Sequence, residues 1–143
     1  MNDIKELIQE VKNESHLVKM KREELERLKR LCEVAGINYE GERVDGTKDN
    51  NRHEKAIINY IEYKEELTNF ILSTMEKRSL LCKYIDTLKD TQSIEVMYAY
   101  CISDLSFKHI AKEMYMTIQR IYQIYNQAIE EINRNLREDF KRF

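Results

Sequence analysis

Proline is absent from this chain, and its three glycines fall within one short segment. The sequence of 143 residues contains Gly36, Gly41 and Gly46 and no other glycine. Proline and glycine are the residues that disfavour a helix interior most, by about 3 and about 1 kcal/mol relative to alanine. Much of the remaining sequence is Glu, Lys, Leu and Ile, which suit a helix. This distribution predicts an all-α fold with one interruption.

Residues 2–35 carry an apolar residue at each first position of a seven-residue repeat. With Ile4 as position a, these residues are Ile4, Val11, Val18, Leu25 and Cys32. Position d includes the charged Glu14 and Lys21, and Leu17 and Leu31 at position g widen the apolar stripe. Such a repeat is typical of a long helix that packs along a partner helix, in the same chain or in a second copy.

The glycine-containing segment is predicted to reverse the chain. Gly36 has the place of a C′ residue that ends the first helix, and Asp45-Gly46 is a frequent turn sequence. Asn51 and Glu54 have the spacing of a capping box that begins the next helix. Residues 36–51 are therefore predicted to form a loop.

A second long helix is predicted from about Arg52 to about Thr87, where apolar and aromatic residues recur at helical spacing. Folded back on the first helix, it would complete a long antiparallel, coiled-coil-like hairpin over residues 1–87. We expect this hairpin to serve dimerisation or contact with a partner protein.

Between Leu105 and Ile132, two runs of apolar residues at helical spacing are separated by a short break. The break, Tyr115-Met116-Thr117, ends in a residue that favours the N-cap of a helix. A further short helix is predicted upstream, from Thr91 to about Ile102, with Asp90 as its cap. Three helices of these lengths predict a trihelical helix-turn-helix module over residues 88–143.

A helix that starts at Thr117 would turn one face away from the protein. The residues on this face are Ile118, Gln119, Tyr122, Gln123 and Asn126. In the major groove of double-stranded DNA, Gln119 and Gln123 would each pair with N6 and N7 of an adenine, worth about 1–3 kcal/mol of discrimination. Ile118 would contact a thymine methyl group, and Tyr122 a phosphate or a base edge. The sequence therefore predicts a DNA-reading helix.

Basic side chains near this helix are few. Lys108, Arg120 and the Thr117 hydroxyl are the candidates for phosphate contacts. From Leu105 to Phe143 the chain has seven Lys and Arg against five Asp and Glu, hence +2, whereas the whole chain has −2. We therefore expect weak non-specific affinity, and a homodimer that places two modules on half-sites about one helical turn apart.

The same stretch resembles region four of bacterial sigma factors. The matching positions are Leu105-Ser106, Ile110-Ala111, Thr117, Ile121, Gln123-Ile124 and Ala128-Ile129. The resemblance extends over about residues 85–133. With a helical N-terminal part ahead of it, the layout is also similar to small phage-encoded regulators of the ArpU and RinA type. The resemblance implies a phage or prophage transcriptional regulator, and an activator more than a repressor.

Two features depart from the family pattern. The family usually has a glycine with positive φ in the turn, where this chain has Tyr115, and a tyrosine there implies a strain of about 1–3 kcal/mol. Ile118 and Tyr122 stand where the family often has arginines, and Gln119 stands where it has glutamate. The expected DNA site therefore differs from a promoter −35 element.

Two other functions fit the same sequence. Near-neutral charge also suits a helical interaction protein that binds RNA polymerase, or mimics a sigma factor, without reading bases. A viral DNA-packaging subunit that recognises viral DNA and assembles into a ring is the second alternative. Since the sequence has no Gly-rich phosphate loop, nucleophile motif or metal-ligand spacing, we expect no enzymatic activity, no metal and no cofactor.

The sequence also predicts where the protein acts. No apolar run approaches the roughly 20 residues that span a bilayer, and the first ten residues have no apolar signal-peptide core. Cys32, Cys82 and Cys101 are odd in number and lie within helical patterns. Together these features predict a cytoplasmic protein with reduced thiols and no membrane contact.

Overall fold

The computed structural model of the chain describes residues 4–41 and 46–141, and all elements within these ranges are helices. Helix α1 spans Ile4–Gly41, α2 Gly46–Ile85, α3 Thr91–Met97, α4 Phe107–Glu113 and α5 Ile118–Lys141. A π-helical segment, Tyr98–Ile102, continues α3. The predicted all-α fold is confirmed. None of the described helices is long and apolar enough to cross a membrane.

The prediction of a loop is wrong for residues 36–41 and 46–51, which are helical. Residues 42–45 lie outside the described residues. Helix α1 continues through Gly36 to Gly41, and α2 begins at Gly46. A glycine inside a helix costs only about 1 kcal/mol relative to alanine. The helix-favouring residues before Gly36 can offset that cost, so one glycine does not have to end a helix.

The capping box predicted at Asn51 and Glu54 is also wrong. Both residues lie inside α2, which begins five residues before Asn51. A residue in the interior of a helix does not cap its N-terminus, because the exposed N–H groups belong to the first turn. The turn predicted at Asp45-Gly46 involves Asp45, which lies outside the described residues.

The chain divides into two compact units. One unit comprises Met1–Glu14 together with Thr74–Phe143, and the other comprises Ser15–Ser73. This division differs from the boundary predicted between residues 87 and 88. The difference arises because the first turns of α1 and the last turns of α2 share a core with the C-terminal helices.

The core of the first unit contains residues from the first helix and from the last helix. Its buried residues are Ile4, Ile8, Val11, Leu81, Ile85, Leu88, Met97, Cys101, Ala128, Ile129 and Ile132. They come from α1, from α2 and the turn after it, from α3 and its π-helical continuation, and from α5. The C-terminal helices therefore bury part of their apolar surface against residues that lie before residue 88.

A second cluster in the same unit fixes the positions of α4 and α5. It consists of Val96, Ile110, Ala111, Ile121 and Ile124, and Ile121 is fully buried. Since these residues come from α3, α4 and α5, the cluster sets which side of α5 faces the protein. Ile121 and Ile124 therefore face the interior of this unit.

In the unit Ser15–Ser73, two contacts give the relative direction of α1 and α2. The Lys21 ammonium lies 5.3 Å from the centroid of the Phe70 ring. Farther along α1, the Cys32 thiol donates a hydrogen bond to the Ala56 carbonyl at 3.2 Å. Residue numbers thus rise along α1 as they fall along α2, so the two helices run antiparallel within this unit.

Candidate nucleic-acid interface

The turn between α4 and α5 contains the long hydrogen bond of a Schellman motif, with Tyr115 at the left-handed position. Tyr115 has φ 57°, as predicted. The Met116 N–H donates to the Ala111 carbonyl at 2.9 Å, which is the long bond of this motif. The Met116 side chain also packs against the cluster that contains Ile110. The turn therefore adopts the usual geometry despite having a tyrosine where glycine is common.

We expect Tyr115→Gly to raise the free energy of unfolding by about 1 kcal/mol, because glycine adopts positive φ without steric cost. The tyrosine side chain is 96% exposed, so its removal loses little packing. Urea unfolding measures the change. Tyr115→Ala is the control, since alanine keeps the Cβ atom and its strain. A glycine variant no more stable than the alanine variant would contradict this account.

The start of α5 is fixed by Thr117. Its hydroxyl accepts a hydrogen bond from the Arg120 N–H at 3.1 Å, and its carbonyl accepts one from the Ile121 N–H at 3.1 Å. The predicted N-cap is confirmed. The N–H groups of Ile118 and Gln119 belong to the first turn and have no intrahelical acceptor. This end of the helix therefore combines available donors with the positive end of the helix dipole.

All eight predicted contact residues lie at the protein surface. They are Lys108 on α4, the cap Thr117, and Ile118, Gln119, Arg120, Tyr122, Gln123 and Asn126 on α5. The opposite side of α5 carries the buried Ile121, Ile124 and Ala128. The first three turns of α5 therefore have one buried face and one exposed, mostly polar face.

Arg120 and Gln123 interact on the exposed side of α5. The Arg120 Nη1 group donates to the Gln123 Oε1 atom at 3.4 Å, a long hydrogen bond. An amide oxygen has two acceptor positions, and the amide nitrogen has two N–H groups. The contact therefore orients Gln123 and still leaves a donor and an acceptor for a base edge. In this arrangement the Arg120 side chain reaches toward Gln123.

An aromatic cluster, formed by Tyr100, Phe107, Tyr122 and Tyr125, lies beside this face. The rings of Tyr100 and Phe107 stack with centroids 4.3 Å apart, and Tyr125 meets both of them edge-on. The Tyr122 ring lies 4.8 Å from Phe107 and remains half-exposed. Packing thus restrains the Tyr122 side chain, which lowers the ordering cost of any contact that it makes.

The loop that leads into α4 is held by a lysine from the start of the chain. The Lys12 ammonium donates to the Tyr100 carbonyl at 2.9 Å and to the Asp104 carboxylate at 2.7 Å. It also lies 3.9 Å from the centroid of the Tyr100 ring. Asp104 has φ 57°, so this ion pair holds a left-handed residue in place. The aromatic cluster therefore depends on α1 as well as on its own helices.

A second cation supports the same segment. The Arg78 guanidinium donates to the Ile102 carbonyl at 3.2 Å. Carbonyl groups at the C-terminal end of a helical segment carry partial negative charge and lack intrahelical donors. Lys12 and Arg78 supply such donors. Their pairing with the segment is not visible in the sequence, because each lies far from it along the chain.

Comparisons of the chain with protein-family models, with curated proteins and with solved structures found no match. Across residues 4–41 and 46–141, no group of three or more His, Cys, Asp or Glu residues is placed to hold a metal ion. The chemistry of the exposed face of α4 and α5 therefore has to be argued from the side chains that it presents.

Proposed function

We propose that this protein is a sequence-specific DNA-binding transcriptional regulator that reads the major groove with the first turns of α5. The observation that carries the proposal is the exposed pair Gln119 and Gln123, on a helix whose start is capped and whose opposite face is buried. An α-helix fits the major groove, and glutamine is a common reader of adenine. The arrangement of α4, turn and α5 suits this mode of docking.

The spacing of the two glutamines gives a requirement for the DNA site. Four residues correspond to about 6 Å along a helix, whereas neighbouring base pairs are about 3.4 Å apart. Gln119 and Gln123 would therefore reach bases about two steps apart. Ile118, at the start of the same face, suits a thymine methyl group. The proposed site is thus rich in A·T pairs and has two adenines, on either strand, within about two steps.

Phosphate contacts would position the helix in the groove. The N–H groups of Ile118 and Gln119, the Thr117 hydroxyl and the Lys108 ammonium are the donors on this side of the module. With a net charge of only +2 from Leu105 to Phe143, this footprint is small. We therefore expect the DNA affinity to depend only modestly on salt concentration. We also expect two copies of the protein to bind at one operator.

Resemblance to sigma factor region four supports a role in transcription, and resemblance to the ArpU and RinA type supports a phage or prophage origin. The first resemblance rests on the register of residues such as Leu105, Ile110, Thr117 and Gln123 across α4 and α5. The second rests on the long helical N-terminal part ahead of this module. In this proposal the protein acts in the cytoplasm, on the DNA of a bacterial host or of the phage itself.

The experiment that tests this function is selection of bound duplexes from a random DNA pool at two salt concentrations. We expect enrichment of one A·T-rich site, present twice with a spacing of about one helical turn. Recovery of no defined site by the folded protein, with its helix content verified by circular dichroism, would contradict the proposal.

A second candidate function, binding to RNA polymerase without reading bases, is favoured by one observation. The exposed side of the turn and of α5 also presents the large side chains of Tyr115, Ile118 and Tyr122. Exposed aromatic and apolar groups suit a protein interface. Co-sedimentation with purified polymerase, for the wild type and for Tyr115→Ser, would distinguish this candidate from DNA reading.

A further inference from the structure

Helix α1 carries a second stripe of residues at coiled-coil spacing, besides the one that faces α2. This outer stripe consists of Leu17, Met20, Glu24, Arg27, Leu31 and Val34, at alternating intervals of three and four residues. Its four apolar members are 43–62% exposed. At about 100° per residue, the stripe lies about 100° around α1 from positions a and d. Apolar residues at this spacing, on either side of two charged ones, are typical of a helix with a second partner.

The outer stripe has the same spacing when it is read in either direction. If two copies of α1 pair antiparallel, Leu17 faces the partner's Val34 and Met20 faces the partner's Leu31. In antiparallel coiled coils the two kinds of core position face each other in this way. Each apolar residue of the outer stripe therefore faces an apolar residue of the partner. The two charged members, Glu24 and Arg27, then fall at the centre of the pairing.

The central charges distinguish an antiparallel pair from a parallel one. In an antiparallel pair, each Glu24 faces the partner's Arg27, so opposite charges meet twice. In an in-register parallel pair, Glu24 would face the partner's Glu24 and Arg27 would face the partner's Arg27. Like charges that face each other destabilise an interface. The stripe therefore favours antiparallel self-association of two identical copies.

Within one chain, Glu24 and Arg27 already interact. The Arg27 Nε and Nη2 atoms donate to the Glu24 Oε1 atom at 2.9 and 2.6 Å. The Arg27 side chain is nevertheless 59% exposed, so it remains accessible to a second carboxylate. Pairing would combine two such ion pairs into a group of four alternating charges. A polar layer inside an apolar stripe is a known way to fix the register of a coiled coil.

We propose that the outer stripe of α1 is a homodimer interface, in which two copies pair antiparallel about a two-fold axis between Glu24 and Arg27. Every residue of the stripe lies in the unit Ser15–Ser73. The self-pairing is isologous, so the same patch serves both copies and the assembly closes at two. This inference goes beyond DNA reading and does not depend on it.

The test is sedimentation velocity of the full chain at tens of micromolar. We expect the wild type to form a dimer. Glu24→Arg gives a copy with arginine at both central positions, and Arg27→Glu gives a copy with glutamate at both. The dissociation constant of the dimer should rise at least about tenfold for each variant alone. The reason is that the two facing pairs of opposite charge become two facing pairs of like charge. An equimolar mixture should recover the dimer, because every facing pair is then of opposite charge.

Matched control variants are available on the same helix. Glu26→Arg and Lys19→Glu make the same kinds of charge change at exposed positions outside the stripe. We expect both control variants to dimerise like the wild type. Recovery of a dimer in the mixture cannot result from misfolding, so this measurement remains informative even where a single variant loses helix content.

Three results would overturn the proposed interface. They are a wild type that is monomeric at tens of micromolar, a dimer that neither charge reversal weakens, and a mixture that does not recover the dimer. DNA selection is a separate measurement, and its failure with the dimer intact would reject DNA reading alone.

Discussion

Ile8→Ala is expected to lower the free energy of unfolding by about 2–5 kcal/mol, although residue 8 lies far from the C-terminal helices in sequence. Ile8 is only 3% exposed and belongs to the core that contains Leu81, Met97 and Ile129. Removal of most of its side chain leaves a cavity in that core, and every helix that lines the cavity loses packing contacts. Urea unfolding followed by circular dichroism measures the change.

Lys5→Ala is the matched control, since Lys5 lies on the same turns of α1 with its side chain exposed. Its effect should stay within about 0.5 kcal/mol. The same reasoning predicts that a fragment of residues 88–143 unfolds at lower urea than the full chain, because it lacks Ile4, Ile8 and Val11. An Ile8→Ala variant as stable as the control would show that the start of α1 does not contribute to this core.

Replacement of both Gln119 and Gln123 by alanine is expected to remove most of the sequence preference. Each bidentate glutamine–adenine pair contributes about 1–3 kcal/mol of discrimination. The double variant should therefore lose roughly 30-fold or more in the ratio of affinities for the selected site and for a site with its adenines replaced. Affinity for unrelated DNA should change little, because the phosphate contacts remain. Competition binding measured by fluorescence anisotropy gives both quantities.

Gln127→Ala is the control for this prediction. Gln127 is an exposed glutamine on the same helix, but it lies one turn beyond Gln123 and is not one of the predicted contact residues. Its replacement should leave the affinity ratio unchanged. Equal losses in the control and in the double variant would indicate a general effect on α5, whereas no loss in either would remove the two glutamines from the site.

Local features of the fold were predictable from the sequence. Asp90 accepts a hydrogen bond from the Gln92 N–H, and Thr117 accepts one from the Arg120 N–H, as the cap chemistry predicts. The positive φ of Tyr115 agrees with the glycine that the resemblance implies at this position. These features depend on residues a few positions apart, where side-chain chemistry and helical periodicity determine the conformation.

Features that depend on distant residues were not predictable. Lys12 and Asp104 form an ion pair across most of the chain, and no pattern in the sequence joins them. Gly36 was ambiguous for a different reason: glycine is common just after a helix but costs only about 1 kcal/mol inside one. The π-helical segment Tyr98–Ile102, which accepts the bonds from Lys12 and Arg78, was likewise not predicted.

The aromatic cluster gives an intermediate case. Helical periodicity places Tyr122 on the outward face of α5 and Tyr125 toward the protein, and both placements agree with their exposure. Periodicity does not show that Phe107, from α4, lies against both rings. That contact depends on how α4 packs on α5, which the buried cluster around Ile121 determines.

The most direct test of major-groove reading by α5 is the affinity for the selected site when single adenines are replaced by 7-deazaadenine. This base lacks the N7 acceptor of the major groove and keeps its Watson–Crick and minor-groove edges. We predict that at least one replacement weakens wild-type binding by roughly tenfold, and that the same replacement has no effect on the double variant of Gln119 and Gln123. Wild-type binding that no replacement weakens would contradict the account.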